Sequence, residues 1–308
     1  MAERINAVKT SFFGKGAIRL LGPELQKMGI RRALLVTDRF LYDSGAAARV
    51  GQVLSDAGVE YAVYYNVQPN PTVQVVNDCI AAARTLQVQL LVALGGGSAI
   101  DTAKAASIVV ACGGTVEQYE GENKSSKPGL PIVAVNTTAG TGSETTIAAV
   151  ISGTATHRKR QILDPKLVPF AAILDPELTV GLPQGNTIHT AMDALTHALE
   201  AYVSTYATPE TDRYAEMAAK MIYEALPVVR EEPKNVEMRE QLLVASFLAG
   251  MAFTRTYVGY VHAFAHSIGG RYGVAHGLAN AVLLPHIMEY YLPVSTPRLA
   301  RMAQICGI

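Results

Sequence analysis

The sequence lacks several features that would point to particular classes of protein. Its 26 lysine and arginine residues are balanced by 26 aspartate and glutamate residues. Because neither sign of charge is in excess, we expect neither nucleic acid nor an anionic membrane surface as a partner. The three cysteines, Cys79, Cys112 and Cys306, are too widely spaced for a disulfide framework or a CxxC metal clip. This cysteine usage is typical of a reducing compartment, and we expect the protein to be cytoplasmic.

The sequence also shows no pattern typical of a signal peptide or of a membrane-spanning helix. The first residues lack the apolar core of a signal peptide. The longest weakly charged stretch, residues 128–153, contains Glu144 and is rich in glycine, threonine and proline, which makes it a poor membrane helix. We therefore expect no membrane partner. What the sequence does have is 49% hydrophobic residues in a chain of 308, enough for a large core and, by length, for two domains.

Short apolar runs alternate with helical patterns in the first half of the chain. The predicted strands are 33–37, 61–65, 90–94 and 131–135. The predicted helices are 46–57, 73–86 and 99–112. This alternation predicts a mostly parallel sheet that is covered by helices on both faces.

The pattern changes after Pro183, where strand-like runs end. The predicted helices are 187–204, 211–229, 237–254, 258–270 and 278–290, with a further helical segment at 297–308. The sequence thus predicts an α/β fold with an N-terminal Rossmann-like parallel-sheet domain over residues 1–183. A C-terminal all-helical domain is predicted over residues 184–308.

Four of the seven histidines and one aspartate follow a spacing typical of metal ligands. Asp193 and His197 are four residues apart, as are His262 and His266. Each pair would share one helix face, one turn apart, which is how a helix presents two ligands to one ion. His276 follows in a glycine-bounded turn. The spacing is equally compatible with a metal site and with histidines that serve the helical core. The histidines interpreted as structural or solvated are His157, His189 and His286.

Polar or glycine-rich segments follow three of the predicted strands. The segment GGGS at 95–98 opens a helix whose free N–H groups suit a phosphate, and Ser98 is expected to cap that helix with Asp101 three residues on. The loop 136–144 alternates hydroxyls with glycines. Asp38 is placed to accept hydrogen bonds from a ribose and to repel a 2′-phosphate, which favours NAD over NADP. Each segment read alone also fits an ordinary turn, but together they would line one crevice.

Together these segments resemble the iron-containing (group III) alcohol dehydrogenases. The matching strings are GGGSAIDTAK at 95–104, TTAGTGSE at 137–144, DPEL at 175–178, AMDALTHALE at 191–200, HAFAHSIGG at 262–270 and HGLANAVLLP at 276–285. Their order and spacing agree at six places, from about residue 12 to the end of the chain. The resemblance implies the dehydroquinate synthase-like architecture of a Rossmann-like domain followed by a helical domain.

The resemblance also implies site residues. In that family one aspartate and three histidines hold a divalent metal, usually Fe²⁺. The matching positions are Asp193, His197, His262 and His276. His266 is assigned to a place beside the nicotinamide and the substrate, where it would relay a proton. The positions that match the family's NAD(P) contacts are Asp38, Asn70, Gly96, Gly97, Ser98, Asp101, Thr137, Thr138, Thr141, Ser143 and Lys159. Zn²⁺ or another divalent metal also suits this mixture of nitrogen and oxygen ligands.

The implied function is an NAD-linked, metal-dependent alcohol dehydrogenase that interconverts a small alcohol and its aldehyde or ketone. The family resemblance further implies a homodimer or a larger homo-oligomer, and a helical domain that continues beyond Ile308. The nearest rival is a dehydroquinate-synthase-like cyclase, which would need clustered cations, whereas only Arg255 and Arg271 lie near the histidines in the sequence. Arg255 is interpreted as an ion-pair residue. Polyol oxidation of the glycerol-dehydrogenase type and a binding protein without turnover remain alternatives.

Overall fold

The computed structural model describes residues 8–153 and 159–308, so His157 lies outside the described residues. The chain forms two compact units. The first contains Met1–Thr137 and Ser143–Leu178, and the second contains Thr138–Gly142 and Thr179–Ile308. The division of the chain into domains at residue 183 stays a prediction.

The first unit is built on a six-stranded parallel sheet. Its strands and those of a smaller sheet are β1 (Thr10–Phe13), β2 (Arg32–Asp38), β3 (Glu60–Val67), β4 (Leu90–Gly95), β5 (Gly121–Glu122), β6 (Ile132–Asn136), β7 (Ala148–Ser152), β8 (Lys159–Leu163) and β9 (Ala171–Leu174). The large sheet has the order β1-β9-β6-β4-β2-β3, and every neighbouring pair is parallel. The small sheet has the order β5-β8-β7.

The described helices alternate with these strands and then follow one another. They are α1 (Leu21–Lys27), α2 (Arg39–Asp43), α3 (Ala46–Asp56), α4 (Val73–Thr85), α5 (Gly97–Cys112), α6 (Gln184–Val203), α7 (Pro209–Glu231), α8 (Val236–Thr256), α9 (Tyr260–Tyr272) and α10 (His276–Cys306). The predicted α/β class with an all-helical C-terminal part is confirmed.

Both faces of the large sheet are buried, which explains the continuous apolar runs of its strands. Within β2, Leu34 and Val36 belong to one core cluster, whereas Ala33 and Leu35 belong to the other. Successive side chains of a strand point to opposite faces, so a strand covered on both sides needs apolar residues at every position. The four predicted strands all occur, with ends that differ from the prediction by at most two residues.

Five strands were missed. In the large sheet, β9 pairs with β6 on one side and with β1 on the other. Both β1 and β9 have only four residues, and a run this short gives no period to read. The strands β5, β7 and β8 form the small sheet.

The second unit is an assembly of helices with an alanine-rich core. Buried alanines from three helices form its main cluster, among them Ala198 of α6, Ala218 of α7 and Ala249 of α8. Small side chains let helix axes approach closely, so these helices present broad contact faces to one another. Among the described residues no single helix is long and apolar enough to cross a membrane. Only the bent pair α8 and α9 meets that criterion, as a pair, on length and composition.

The predicted break between the helix at 278–290 and the helical segment at 297–308 was wrong. Both predicted helical segments belong to one helix, because α10 runs unbroken from His276 to Cys306 through Pro285, Pro293 and Pro297. A proline inside a helix removes one hydrogen bond and costs about 3 kcal/mol. Tertiary packing of α10 against α6 and α9 overrides that local preference.

Candidate functional site

The predicted metal ligands come from three helices of the second unit. Asp193 and His197 lie one turn apart on α6, His262 lies in the first turn of α9, and His276 is the first residue of α10. Asp193 and His262 are each 2% exposed. The side chain of His276 is 27% exposed, which leaves one side of the group open.

Three of these side chains converge on one point. The Oδ1 atom of Asp193 lies 3.6 Å from Nε2 of His262 and 3.4 Å from Nε2 of His276. All three ligand atoms lie within 4.8 Å of one another. Tetrahedral coordination with bonds of about 2.1 Å places neighbouring ligand atoms about 3.4 Å apart. The observed spacing therefore fits a divalent cation with nitrogen and oxygen ligands.

His197 lies beside this group but is not one of its three converging members. Its ring stacks on the ring of His262 at 4.4 Å and on that of Phe253 at 4.1 Å. It is buried, with 5% of its surface exposed. The structure thus brings His197 next to a ligand side chain, and its role as the fourth ligand stays a prediction.

His266 also belongs to the histidine cluster. It lies one turn after His262 on α9, and its ring stacks against that of His276 at 5.0 Å. It contacts the ring of His262 edge-on at 5.9 Å. The geometry puts a fourth imidazole at the border of the converging group, where a proton could be taken up or released.

Charge within the cluster is organised around Asp193. Burial alone would raise the pKa of Asp193, but the neighbouring His197, His276 and His262 lower it below its usual range. Burial would lower the pKa of His262, but its hydrogen bonds to Asp193 and Glu200 raise it to about 9. Burial lowers the pKa of His197 to about 3. The site therefore combines an ionised carboxylate at Asp193 with a neutral imidazole at His197, and a cation bound through Nε2 of His262 would displace the proton that the two carboxylates favour there.

Sequence reasoning missed two residues that hold the ligands in place. The Oε2 atom of Glu200 lies 2.5 Å from Nδ1 of His262. The Nδ2 atom of Asn280 donates to Oδ1 of Asp193 at 2.6 Å. Glu200 follows Asp193 by seven residues and Asn280 follows His276 by four, so both lie on the ligand-bearing faces of their helices. That periodicity was the available signal.

A glycine permits the close approach of α10 to α6. A Cβ at Gly277 would lie 2.2 Å from the backbone oxygen and 2.7 Å from the carbonyl carbon of His189. Only a residue without a side chain fits this contact. Because Gly277 directly follows His276, the contact fixes the position of that ligand relative to Asp193.

The glycine-rich turn between β4 and α5 has the geometry of an anion-binding site. Gly95 has φ +153°, and a Cβ there would lie 2.8 Å from the Cβ of Ala99. The helix begins at Gly97 with Gly96 as its N-cap, and no side chain caps it. The expectation that Ser98 caps α5 is therefore wrong, because Ser98 lies inside the first turn. The uncapped N–H groups of this 16-residue helix suit a phosphate.

Asp101 and Ser143 take part in a buried network behind this turn. The Oδ1 atom of Asp101 accepts a hydrogen bond from the hydroxyl of Ser143 at 2.7 Å, and its Oδ2 accepts one from the Val150 N–H at 3.0 Å. The ammonium group of Lys104, which is fully buried, donates to the backbone oxygens of Ser143, Thr146 and Ala148 at 2.6 to 2.8 Å. Burial lowers the pKa of Lys104 to about 8. The network holds the chain segment after β6 in place, a role that sequence reasoning did not assign to Lys104.

The ends of three neighbouring strands carry further predicted cofactor residues. Asp38 ends β2, where its Oδ1 accepts the Leu41 N–H at 2.8 Å and caps α2. Gly96 follows β4, and Thr137 follows β6, where its N–H donates to the Gly95 oxygen at 3.1 Å. The carboxyl ends of neighbouring parallel strands are the usual place for a dinucleotide.

The remaining predicted cofactor residues lie elsewhere. Asn70 is exposed and has φ +54°, and Lys159 begins β8. Thr138 and Thr141 belong to the 138–142 segment of the second unit. Their contacts with a cofactor stay predictions.

Arg255 makes the ion pair that was expected of it. Its Nη1 atom lies 3.0 Å from Oε2 of Glu210, and its guanidinium lies over the ring of Tyr214. This contact accounts for the cation without a substrate.

Comparisons with known proteins match the chain along most of its length. The family model described as "Iron-containing alcohol dehydrogenase" matches residues 9–176. The model described as "Fe-containing alcohol dehydrogenase family, C-terminal" matches residues 187–308.

Individual relatives agree with the family models. The chain is 42% identical to an NAD-dependent methanol dehydrogenase of Bacillus methanolicus, over 96% of this chain and 78% of that protein. It is 42% identical to a 1,3-propanediol dehydrogenase of Klebsiella pneumoniae, over 96% of this chain and 77% of that protein. Among solved structures, a 1,3-propanediol oxidoreductase superposes with a TM-score of 0.97 at 41% identity. That match covers 100% of this chain and 81% of the other.

Proposed function

Because this chain belongs to the iron-containing alcohol dehydrogenase family, we propose that it interconverts a small alcohol and its aldehyde or ketone with NAD as the hydride carrier. The observation that carries the proposal is the convergence of Asp193, His262 and His276, whose ligand atoms lie within 4.8 Å of one another. A carboxylate and two imidazoles in this arrangement suit a divalent cation, which alcohol oxidation of this type requires.

The residues that would hold the cation are Asp193, His197, His262 and His276. Their nitrogen and oxygen donors suit Fe²⁺, and they also suit Zn²⁺. When bound, the cation supplies Lewis-acid stabilisation of negative charge on the substrate oxygen. The side of the group left open by the partly exposed His276 gives that oxygen access.

His266 is the residue that would hold the proton gained or lost by the substrate oxygen. Its imidazole lies against those of His262 and His276. An imidazole exchanges a proton near neutral pH on a ring nitrogen, so it suits a reaction that runs in both directions.

NAD would bind at the carboxyl ends of β2, β4 and β6. The N-terminus of α5, with Gly96, Gly97 and Ser98, would bind the pyrophosphate through backbone N–H groups. The carboxylate of Asp38 would accept a ribose hydroxyl and repel a 2′-phosphate, which makes NADP the poorer cofactor. The other residues proposed to contact the cofactor are Asn70, Asp101, Thr137, Thr138, Thr141, Ser143 and Lys159.

The proposed substrate class is based on the two relatives named above, which are called a methanol dehydrogenase and a 1,3-propanediol dehydrogenase. We propose a short alcohol without a phosphate group. Protein of known metal content is assayed for NADH formation with a series of short alcohols and diols, and for NADH consumption with the corresponding aldehydes.

The decisive variant is His276→Ala, which is expected to lose metal and turnover together. His286→Ala is the matched control, because His286 lies exposed on the same helix. Full turnover by metal-free His276→Ala protein would rule out the proposal.

We also propose a cellular compartment and an oligomeric state for the protein. Three cysteines that are free in the structure suit a reducing cytoplasm, and the family resemblance supports a homodimer or a larger homo-oligomer. Light scattering coupled to size exclusion would give the mass of the assembly, and a monomer at micromolar concentration would contradict this part of the proposal.

A further inference from the structure

We propose that Glu200 is a positioning residue that fixes the tautomer and orientation of His262, so that Nε2 of the imidazole is free to bind the metal. The inference rests on the metal site of the proposed function. It concerns a residue of α6 that does not itself belong to the converging ligand group.

The carboxylate of Glu200 has two donors to satisfy. Its Oε2 atom lies 2.5 Å from Nδ1 of His262, and its Oε1 accepts the Val261 N–H at 2.7 Å. Glu200 is 2% exposed, so no bulk water competes for these contacts. An ionised carboxylate only accepts hydrogen bonds, so Nδ1 of His262 must carry a proton.

The opposite side of the His262 ring agrees with this tautomer. The Nδ2 atom of Asn280 lies 2.6 Å from the Asp193 carboxylate and 3.1 Å from Nε2 of His262. Facing a carboxylate, this end of the amide must be the NH₂ group rather than the oxygen. A second hydrogen of this NH₂ group lies within reach of Nε2 of His262 at 3.1 Å, so this nitrogen can accept it in the neutral tautomer with the proton on Nδ1, which is the form that a metal needs. A carboxylate that holds the far nitrogen of a metal-binding histidine is a recurring arrangement in metalloproteins.

The surroundings of Glu200 show how this contact is built. Gly259 precedes α9, and a Cβ there would lie 2.9 Å from Oε1 of Glu200 and 3.0 Å from the Tyr291 hydroxyl. The glycine thus leaves room for both groups at the start of α9. The Tyr291 hydroxyl accepts the Tyr260 N–H at 3.0 Å, so it caps the same helix without touching His262.

Glu200→Gln is the informative substitution because an amide has one acceptor and one donor group. If its oxygen faces Val261, its NH₂ group faces Nδ1 of His262 and drives the imidazole proton to Nε2. If the amide turns round, the NH₂ group meets the Val261 N–H instead. In either orientation the amide cannot accept from both the Val261 N–H and Nδ1 of His262, as the carboxylate does. The imidazole is then held less firmly with Nε2 free, and Zn²⁺ should bind about 10- to 100-fold more weakly.

The test compares the wild type, Glu200→Gln and Tyr291→Phe. Tyr291→Phe is the matched control, since it removes a cap from the same helix end but keeps the contact between Glu200 and His262. Zn²⁺ dissociation constants are measured by competition with a chelator, alongside the melting temperatures of the metal-free proteins. We expect Glu200→Gln to lose affinity and Tyr291→Phe to stay within about threefold of the wild type.

A second measurement needs no variant. In ¹⁵N-histidine NMR spectra of the Zn²⁺-loaded wild type, His262 should show a proton on Nδ1 that is protected from exchange. Absence of that proton would overturn the proposal, as would wild-type affinity in Glu200→Gln or an equal loss in Tyr291→Phe. If the wild type itself bound no Zn²⁺, the metal site of the proposed function would fail, and the role of Glu200 with it.

Discussion

The contact between Gly277 and His189 gives a sharp prediction, because one added methyl group should disturb the metal site. In Gly277→Ala the new Cβ would lie 2.2 Å from the His189 backbone oxygen, whereas real Cβ atoms essentially never approach closer than 3.0 Å. The start of α10 must therefore move away from α6 by at least about 0.8 Å. Overpacking of this kind costs about 1–3 kcal/mol.

The shift is large on the scale of metal coordination. Metal–ligand distances hold to within about 0.2 Å, and His276 directly precedes the substituted glycine. Its Nε2 atom, now 3.4 Å from Oδ1 of Asp193, would leave the converging group. We expect Gly277→Ala to bind Zn²⁺ at least about 10-fold more weakly than the wild type, a loss of the size found when a supporting contact is removed.

The matched control is Gly185→Ala. Gly185 is the second residue of α6 as Gly277 is of α10, so both substitutions bring the same gain in helix propensity. A Cβ at Gly185 would have no described neighbour within 4 Å. The assay is Zn²⁺ competition with a chelator, together with thermal unfolding. Wild-type Zn²⁺ affinity in Gly277→Ala, or an equal loss in Gly185→Ala, would refute the reasoning.

Three further predictions concern residues outside the metal site. Lys104→Met leaves three buried carbonyl oxygens without their donor and should lower the free energy of unfolding by about 3–5 kcal/mol, measured by urea denaturation. An unchanged denaturation midpoint would contradict this. Asp38→Ser should raise the ratio of kcat/KM with NADP to that with NAD, because the carboxylate that repels the 2′-phosphate is gone; a serine still caps α2, so the fold should be kept. A ratio equal to that of the wild type would count against the assignment. Burial raises the pKa of Cys79 to about 12, so its thiol should react with Ellman's reagent only after denaturation. The partly exposed Cys112 and Cys306 should react in the native protein, and three equally fast thiols would be the contrary result.

The parts of the fold that sequence reasoning predicted are those whose pattern is local. Strands such as β2 and β4 are buried on both faces, so their apolar runs are continuous and easily read. Strands β1 and β9 pair across about 160 residues of sequence, and neither is long enough to show a period. No local signal links two such segments, so this edge of the sheet could not be predicted.

The end of α10 illustrates the opposite failure. Pro293 is a strong local signal for a helix end, and the predicted helix stopped three residues before it, at residue 290. The helix nevertheless continues to Cys306 because it packs against α6, α7 and α9. Such contacts between distant helices cannot be predicted from the residues around Pro293 alone.

The candidate site shows the same division. The i,i+4 spacing of Asp193 and His197 and the family resemblance indicated the ligands. Glu200 and Asn280 were missed although their spacing places them on the ligand-bearing faces, because a glutamate or an asparagine on a helix is usually solvated. Their contacts with His262 and Asp193 arise only when α6, α9 and α10 come together.

The central claim is that a carboxylate and imidazoles from these helices hold one divalent cation. X-ray absorption at the zinc edge on Zn²⁺-loaded protein tests it most directly. We predict nitrogen and oxygen neighbours at about 2.0–2.2 Å, with the outer-ring scattering of at least two imidazoles and of a third if His197 binds. Zinc surrounded by water alone, or by sulfur, would contradict the account.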